Sequence, residues 1–233
     1  MMEFSQSAPS KRRAGFTLIE VAVTMGIIAA LAAVAVPSIQ EMLERRRLQG
    51  AARDLGNMFQ IARSQAIRTG NFQIVFFGPP TVTDPAGTLL TDSTGASVPL
   101  LLLDDGPPAT ADCHIEVDED RETLAAQPLI GWGVSEATFK VPTDTGGAAF
   151  SPPQSSGTTV SDPSGTATNW VLFRPDGIPV GFEPTAATCG TIGDTGTGGA
   201  GLYITSGGRD YAVTLAPLGG VRVHAWNGTG WTQ

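Results

Sequence analysis

From Phe16 to Val36 the chain runs for 21 residues with one charged side chain, Glu20, and the cations Lys11, Arg12 and Arg13 stand just before it. As a helix rising about 1.5 Å per residue the run is roughly 31 Å long, close to the roughly 30 Å hydrocarbon thickness of a bilayer. It is long enough to cross a membrane once. Glu20 needs an explanation, because a carboxylate in hydrocarbon is costly unless it lies near the interface, is protonated or meets a cation. The helix itself supplies no cation.

A basic triplet before an apolar run fits a secretory signal, a signal anchor or a prepilin leader. Ala33-Val34-Ala35 offers a small-x-small site for the first. A carboxylate near the start of the apolar region fits that reading badly, and cutting there would discard a helix that the next segment continues. Lys11-Arg12-Arg13-Ala14-Gly15 before Phe16-Thr17-Leu18-Ile19-Glu20 resembles the type III signal of type IV pilins and type II secretion pseudopilins. The resemblance implies that a prepilin peptidase cuts on the cytoplasmic side, between Gly15 and Phe16, and methylates the new amine of Phe16. It implies an assembly role for Glu20, whose carboxylate would meet the amine of a neighbouring subunit. The chemistry agrees: cutting converts an amide at Phe16 into a cation about one helical turn from a carboxylate, a spacing at which opposite charges neutralise each other. Snorkelling of Glu20 to the interface is the plainer alternative.

The remaining composition suits one globular domain behind the anchor: 233 residues, 41% hydrophobic and 15% charged. The formal charge of −8 becomes about −10 once the leader is removed, so bulk electrostatics disfavour nucleic acid as a partner. Arg45, Arg46 and Arg47 follow the apolar run, so the positive-inside rule does not set the orientation. The cleavage motif does: it implies a single-pass protein of the bacterial inner membrane, N-terminus in the cytoplasm and the bulk outside. Cys113 and Cys189 either form one disulfide, closing a loop of about 76 residues and contributing up to roughly 4 kcal/mol, or stay as two buried thiols. Their spacing does not decide.

Residues 1–15 read as a removed leader, 16–69 as one long helix that is transmembrane over about 16–36, and 70–233 as a β-rich domain with Gly/Thr-rich loops. Pro37 predicts a kink or a locally melted turn within the helix. Beyond it Ile39, Met42, Leu43, Leu48, Ala51, Ala52, Leu55, Met58, Phe59, Ala62 and Ala66 recur at three- and four-residue steps, which predicts one buried stripe. Gly26, Gly50 and Gly56 read as weak points, each costing about 1 kcal/mol against Ala. Strands are predicted at 72–77, 98–103, 169–174, 202–205, 211–215 and 221–226, with weaker candidates at 113–117 and 138–141. The last three make an antiparallel meander. Two Gly-, Pro-, Ser- and Thr-rich tracts, 142–169 and 183–201, read as loops.

The fold class is therefore α+β, a long N-terminal helix packed on a C-terminal antiparallel β domain. That layout, with a late Phe-x-Pro-x-Gly element (Phe173, Pro175, Gly177) and a terminal Gly220-Val221-Arg222, resembles the H-type minor pseudopilins of type II secretion and the related minor type IV pilins. The resemblance implies a filament subunit whose partners are the prepilin peptidase, other pilins or pseudopilins, the inner membrane and secreted cargo. The alternative is a minor type IV pilin acting in pilus assembly, adhesion or DNA uptake.

Other motifs carry less. Gly196-Thr197-Gly198-Gly199-Ala200-Gly201 matches a dinucleotide fingerprint as a string, but no strand precedes it and no helix pattern follows. Asp118, Glu119, Asp120 and Glu122 offer oxygens for Ca²⁺ without EF-hand spacing, and a solvated loop explains them as well. His114 and His224 lack zinc spacing, and no Gly-x-Ser-x-Gly elbow occurs. Asn227-Gly228-Thr229 reads as a turn rather than a glycosylation site. Arg222 and His224 with Trp226 and Trp231 offer either a surface for single-stranded nucleic acid or the core of a hairpin with a frayed end. No catalytic residue, metal or cofactor is expected. Intact-mass analysis of the membrane form tests the leader: a chain beginning at methylated Phe16 is expected, and Gly15→Leu should retain all 15 leader residues.

Overall fold

The computed structural model describes residues 16–78, 87, 100–114, 121–124, 131–150, 157–183, 185, 188–195 and 197–233. The chain divides into two compact units, Met1–Leu43 and Glu44–Gln233, and α1 (Leu18–Thr69) contributes to both. In the first unit every described residue is exposed, with Leu18 at 88% and Val34 at 79%. α1 is long and apolar enough to cross a membrane. Of the kink or melted turn expected at Pro37, the melted turn does not form, since α1 stays helical through it. Proline withholds one donor from the ladder.

In the second unit the three- and four-residue periodicity becomes a buried stripe: Leu48, Ala52, Leu55, Phe59, Ala62 and Ala66. The stripe begins later than its pattern does, since Ile39, Met42 and Leu43 are exposed. Gly56 is a point of close approach rather than a weak point, because a Cβ there would sit 3.3 Å from Val223 Cγ2 and 3.7 Å from Val221 Cγ1. Gly26 and Gly50 face open space.

Among the described residues twelve strands follow: β1 (Gln73–Phe77), β2 (Leu100–Asp104), β3 (Arg121–Leu124), β4 (Gly131–Trp132), β5 (Trp170–Phe173), β6 (Pro179–Val180), β7 (Phe182–Glu183), β8 (Thr191–Ile192), β9 (Ala200–Thr205), β10 (Asp210–Leu215), β11 (Val221–Trp226) and β12 (Trp231–Thr232). They form antiparallel sheets in the orders β3-β2-β1-β5-β6 and β12-β11-β10-β9-β4, with β7 and β8 as a separate pair. Side chains alternate across a pleated strand. Val75, Phe77, Leu100 and Leu102 in the first sheet therefore share a core with the α1 stripe, as do Leu202, Ile204, Val213 and Leu215 in the second.

The far faces are buried as well. Ile74, Phe76, Leu101, Leu103 and Leu172 form a second core with Phe182 and the two cysteines, and Tyr203, Ala212 and Trp226 form a third with Val134 and Val141. That is why β1 and β2 read as unbroken apolar runs: both faces are covered. Cys113 and Cys189 are bonded, with an S–S distance of 2.07 Å, and both are buried.

Some expected elements differ. Residues 138–141 form no strand; the Val141 amide donates to the Tyr203 hydroxyl at 3.1 Å, and the loop packs on the sheet through buried Val141 and through Phe139, whose ring lies 5.1 Å from that of Trp226. Cys113 and His114 lie in a bend, and 115–117 fall outside the described residues. Both Gly/Thr-rich tracts hold ordered β structure, with bridges Thr158↔Leu202 and Ser161↔Ala167 in the first and β8 plus the start of β9 in the second. The chain end forms β12, paired with β11 through Ala225↔Thr232 and Trp226↔Trp231, rather than fraying.

The late elements meet on α1. The Arg63 guanidinium donates from Nη1 to the Gly219 carbonyl at 3.2 Å. Gly177 and Gly219 have φ of 75° and 83°, and a Cβ on Gly219 would lie 2.6 Å from the Gly177 carbonyl oxygen and 2.8 Å from Arg63 Nε. Gly207 has a similar φ, 87°, but open space around it. Gly219→Ala is thus expected to destabilise the domain by about 3 kcal/mol and Gly207→Ala by about 1. Thermal unfolding followed by the fluorescence of the four tryptophans, all at residue 132 or beyond, should rank them in that order.

Candidate processing and assembly site

Phe16 is 84% exposed and precedes the first residue of α1. Thr17 caps the helix: its Oγ1 accepts the Glu20 amide at 3.3 Å, and its carbonyl accepts the Val21 amide at 3.2 Å. Thr17-Leu18-Ile19-Glu20 is thereby a capping-box sequence, with the acid three residues after the cap and near the positive end of the helix dipole. Sequence reasoning passed over this local role, although the Thr-x-x-Glu spacing announces it. Thr24 Oγ1 donates to the Glu20 and Val21 carbonyls, both at 2.9 Å, and Ser38 Oγ donates to Ala35 O at 2.9 Å beside Pro37. In an apolar solvent such back-bonding satisfies hydroxyls that have no other partner. Gly15 lies outside the described residues.

The other candidates disperse. Asp105, Cys113 and Cys189 bring one carboxylate oxygen and two sulfurs within 4.8 Å of one another, but both sulfurs are spent in the disulfide. Asp105 instead accepts the Cys113 amide at 3.0 and 3.1 Å and thereby holds Cys113 at a φ of 63°. Glu122 lies in β3, while Asp118, Glu119 and Asp120 are outside the described residues. Turn residues 197–199 lead into β9, so no helix follows the glycine-rich string. Asn227 Oδ1 accepts the Thr229 and Gly230 amides, which makes that triplet a turn.

Of the Arg222, His224, Trp226 and Trp231 group, His224 and Trp226 are buried, Trp231 packs half-buried against Trp226, and Arg222 is exposed. Trp226 and Trp231 pack with ring centroids 5.4 Å apart, Trp231 also meets Tyr203 at 5.7 Å, and its Nε1 donates to the Phe139 carbonyl at 2.8 Å. His224 is 4% exposed, with Nε2 3.0 Å from Thr214 Oγ1 and 3.4 Å from Thr143 Oγ1. His114 is in the bend after the cysteine and does not join it. A shallow cleft of about 590 Å³ is lined by Phe72, Arg174, Asp176 and Asp194 among others, with no histidine, cysteine or hydroxyl among the described residues of its wall.

Burial, and then the nearby Arg222 charge, hold the His224 imidazole below its ordinary value. A lowered folded value means that below about pH 6.5 the unfolded chain binds a proton that the folded chain refuses. Thermal stability of the full-length protein in detergent should therefore fall as pH drops below about 6.5. His224→Gln should remove part of that fall; an unchanged pH profile would remove His224 as its cause.

Residues 10–36 match the family model described as the prokaryotic N-terminal methylation motif. No curated protein and no solved structure matches the chain. The matched segment holds the basic triplet, Gly15, Phe16, Glu20 and the apolar run, and identifies the N-terminus as that of a type IV pilin-like prepilin.

Proposed function

We propose that this chain is a structural subunit of a type II secretion pseudopilus, a minor pseudopilin that enters the filament after cleavage between Gly15 and Phe16 and methylation of Phe16. The observation that carries the reading is an apolar helix exposed on all sides from Phe16 onward, interrupted by one carboxylate at its first turn and preceded by the methylation motif. An apolar surface of that extent requires lipid or other helices around it. A subunit that starts in the inner membrane and finishes in a helical bundle meets both in turn. The single-pass orientation, with cytoplasmic N-terminus and periplasmic domain, follows from where the peptidase cuts.

Glu20 has the register role. In the membrane it stands at the interface, capped into the first turn; in the filament the methylated amine of a neighbouring Phe16 neutralises it. That pairing makes one axial position better than the others, since a carboxylate in an apolar bundle without a cation is costly. The secretion reading is supported by the late Phe173, Pro175 and Gly177 element and by the terminal hairpin, whose Gly177 and preceding Gly219 lie against Arg63. Secreted cargo is the partner at the distal end. A minor type IV pilin acting in assembly, adhesion or DNA uptake is the second reading, favoured if the full-length protein binds DNA with a steep salt dependence.

Glu20→Ala should leave insertion and cleavage intact and reduce the amount of chain sheared off with filaments by at least about tenfold, as expected for loss of a desolvated charge pair. Unchanged incorporation would remove the register role.

A further inference from the structure

Asp105 is 4% exposed and stands just after β2, where its amide donates to the Phe72 carbonyl at 3.0 Å. Its carboxylate bridges the two halves of the disulfide. Both oxygens accept the Cys113 amide, at 3.1 and 3.0 Å, and Oδ2 also lies 3.6 Å from Cys189 Sγ. Cys113 is the one described non-glycine residue with a positive φ, 63°, so the carboxylate fixes a backbone conformation that side chains seldom adopt. The core around the cysteines is apolar: Ile74, Phe76, Leu101, Leu103, Leu172 and Phe182. Accepting one amide does not by itself call for an acid in such surroundings, since the oxygen of an asparagine accepts it without a charge. What an acid adds is the capacity to take a proton.

We propose that Asp105 is the proton acceptor for closure of the disulfide, so that the chain carries its own oxidation site and takes an external disulfide, RSSR, as oxidant. The exchange takes place on the reduced chain. Cys113 as thiolate attacks RSSR, forming Cys113–S–S–R and releasing RS⁻. The Cys189 thiol then gives its proton to Asp105 as its sulfur attacks Cys113 Sγ: the bond between Cys189 and Cys113 forms, the bond from Cys113 to SR breaks, and a second RS⁻ leaves. Two thiols are oxidised, one RSSR is reduced to two RSH, and one of the two protons passes through Asp105. The geometry sets the order, because Asp105 holds Cys113 by its backbone and aims Oδ2 at the sulfur of Cys189. A base is needed there because a thiol among apolar side chains is inert, and the thiolate is the nucleophile. The inference goes beyond the filament reading and does not rest on it.

Among the described residues the other titratable groups of this corner are Asp104, bonded to Asn71; Asp112, bonded to the His114 amide; His114 itself; the pair Arg174 and Asp176; and exposed Glu183 and Asp194. Of these only His114 ordinarily titrates between pH 6 and 8. Full-length protein in neutral detergent, reduced and freed of reductant, is given glutathione disulfide. The step whose rate is independent of glutathione disulfide concentration is followed by acid quench, alkylation and intact mass. Wild type should close at a rate that changes less than about threefold between pH 6 and pH 8, because an ionised carboxylate takes the proton throughout. Asp105→Asn keeps an acceptor for the Cys113 amide but cannot take a proton. It should close at least about tenfold more slowly at pH 7, accumulate the glutathione adduct, and speed up about tenfold per pH unit with the thiolate fraction. His114→Gln should keep the flat profile. Four results overturn the proposal: a wild-type rate that climbs about tenfold per pH unit, an Asp105→Asn chain that closes like wild type, one that closes slowly with a flat profile and so shows a role of shape alone, or a His114→Gln profile that turns steep. If Asp105→Asn does not fold, the wild-type and His114→Gln profiles decide.

Discussion

The buried stripe of α1 from Leu48 to Ala66 is the surface that the two five-stranded sheets share. Phe59 shows why: its ring lies 6.3 Å from Phe77 and 6.2 Å from Phe173, while Gly56 lets Val221 and Val223 of the other sheet approach the same helix. Each sheet is apolar on both faces, so neither is stable with one face in water. The helix covers the inner faces, and loops cover the outer ones. Burying this stripe also leaves the opposite side of the helix, with Arg46, Arg53 and Arg68, exposed.

Loops rich in Gly, Thr and Ser have few apolar side chains with which to hold a sheet, and three buried carboxylates do much of that holding. Asp144 accepts the Tyr203 hydroxyl at 2.6 Å, Thr159 Oγ1 at 2.7 Å and the Gly146 amide at 2.8 Å. Burial first, then the Asp144 charge, keep the Tyr203 phenol well above its usual value, so it remains a donor. Asp210 accepts the Ser135, Glu136 and Ala137 amides, and Asp105 accepts that of Cys113. Bonds to an ionised acceptor are stronger than neutral ones and restrict direction as well as distance. With the disulfide between Cys113 and Cys189 they convert low-complexity sequence into fixed structure.

The helix, the α+β class and the strands with strong apolar runs were legible because period and composition agree there: residues 73–77, 100–104, 170–173 and the terminal meander all lie on or beside the predicted segments. Two-residue strands such as β4, β6, β7 and β8 were not, since they depend on neighbours distant in sequence rather than on local pattern. The roles of Asp144 and Asp210 were hidden for the same reason; an acid whose partner is a hydroxyl 59 positions away, or amides 73 to 75 positions away, looks like any surface acid. Pairing of the cysteines rests on proximity that spacing cannot encode. At the N-terminus the reverse holds. The motif around Gly15 and Phe16 is one contiguous string, so it is plain in one dimension, and the capping box at Thr17 and Glu20 is equally local.

One chain thus carries a helix with two surroundings: an apolar half whose covering must come from outside, and a half that organises a domain. Glu20 at the first turn is where the proposed two-environment account is most exposed to test, because on that proposal its carboxylate needs a cation only in the assembled state. A density map of the native filament at side-chain resolution measures this directly. The account predicts a cleaved chain beginning at Phe16, with its amine within ion-pair distance of the Glu20 carboxylate of an adjacent subunit. A Glu20 carboxylate turned to water or lipid, with the neighbouring amine elsewhere, would contradict it.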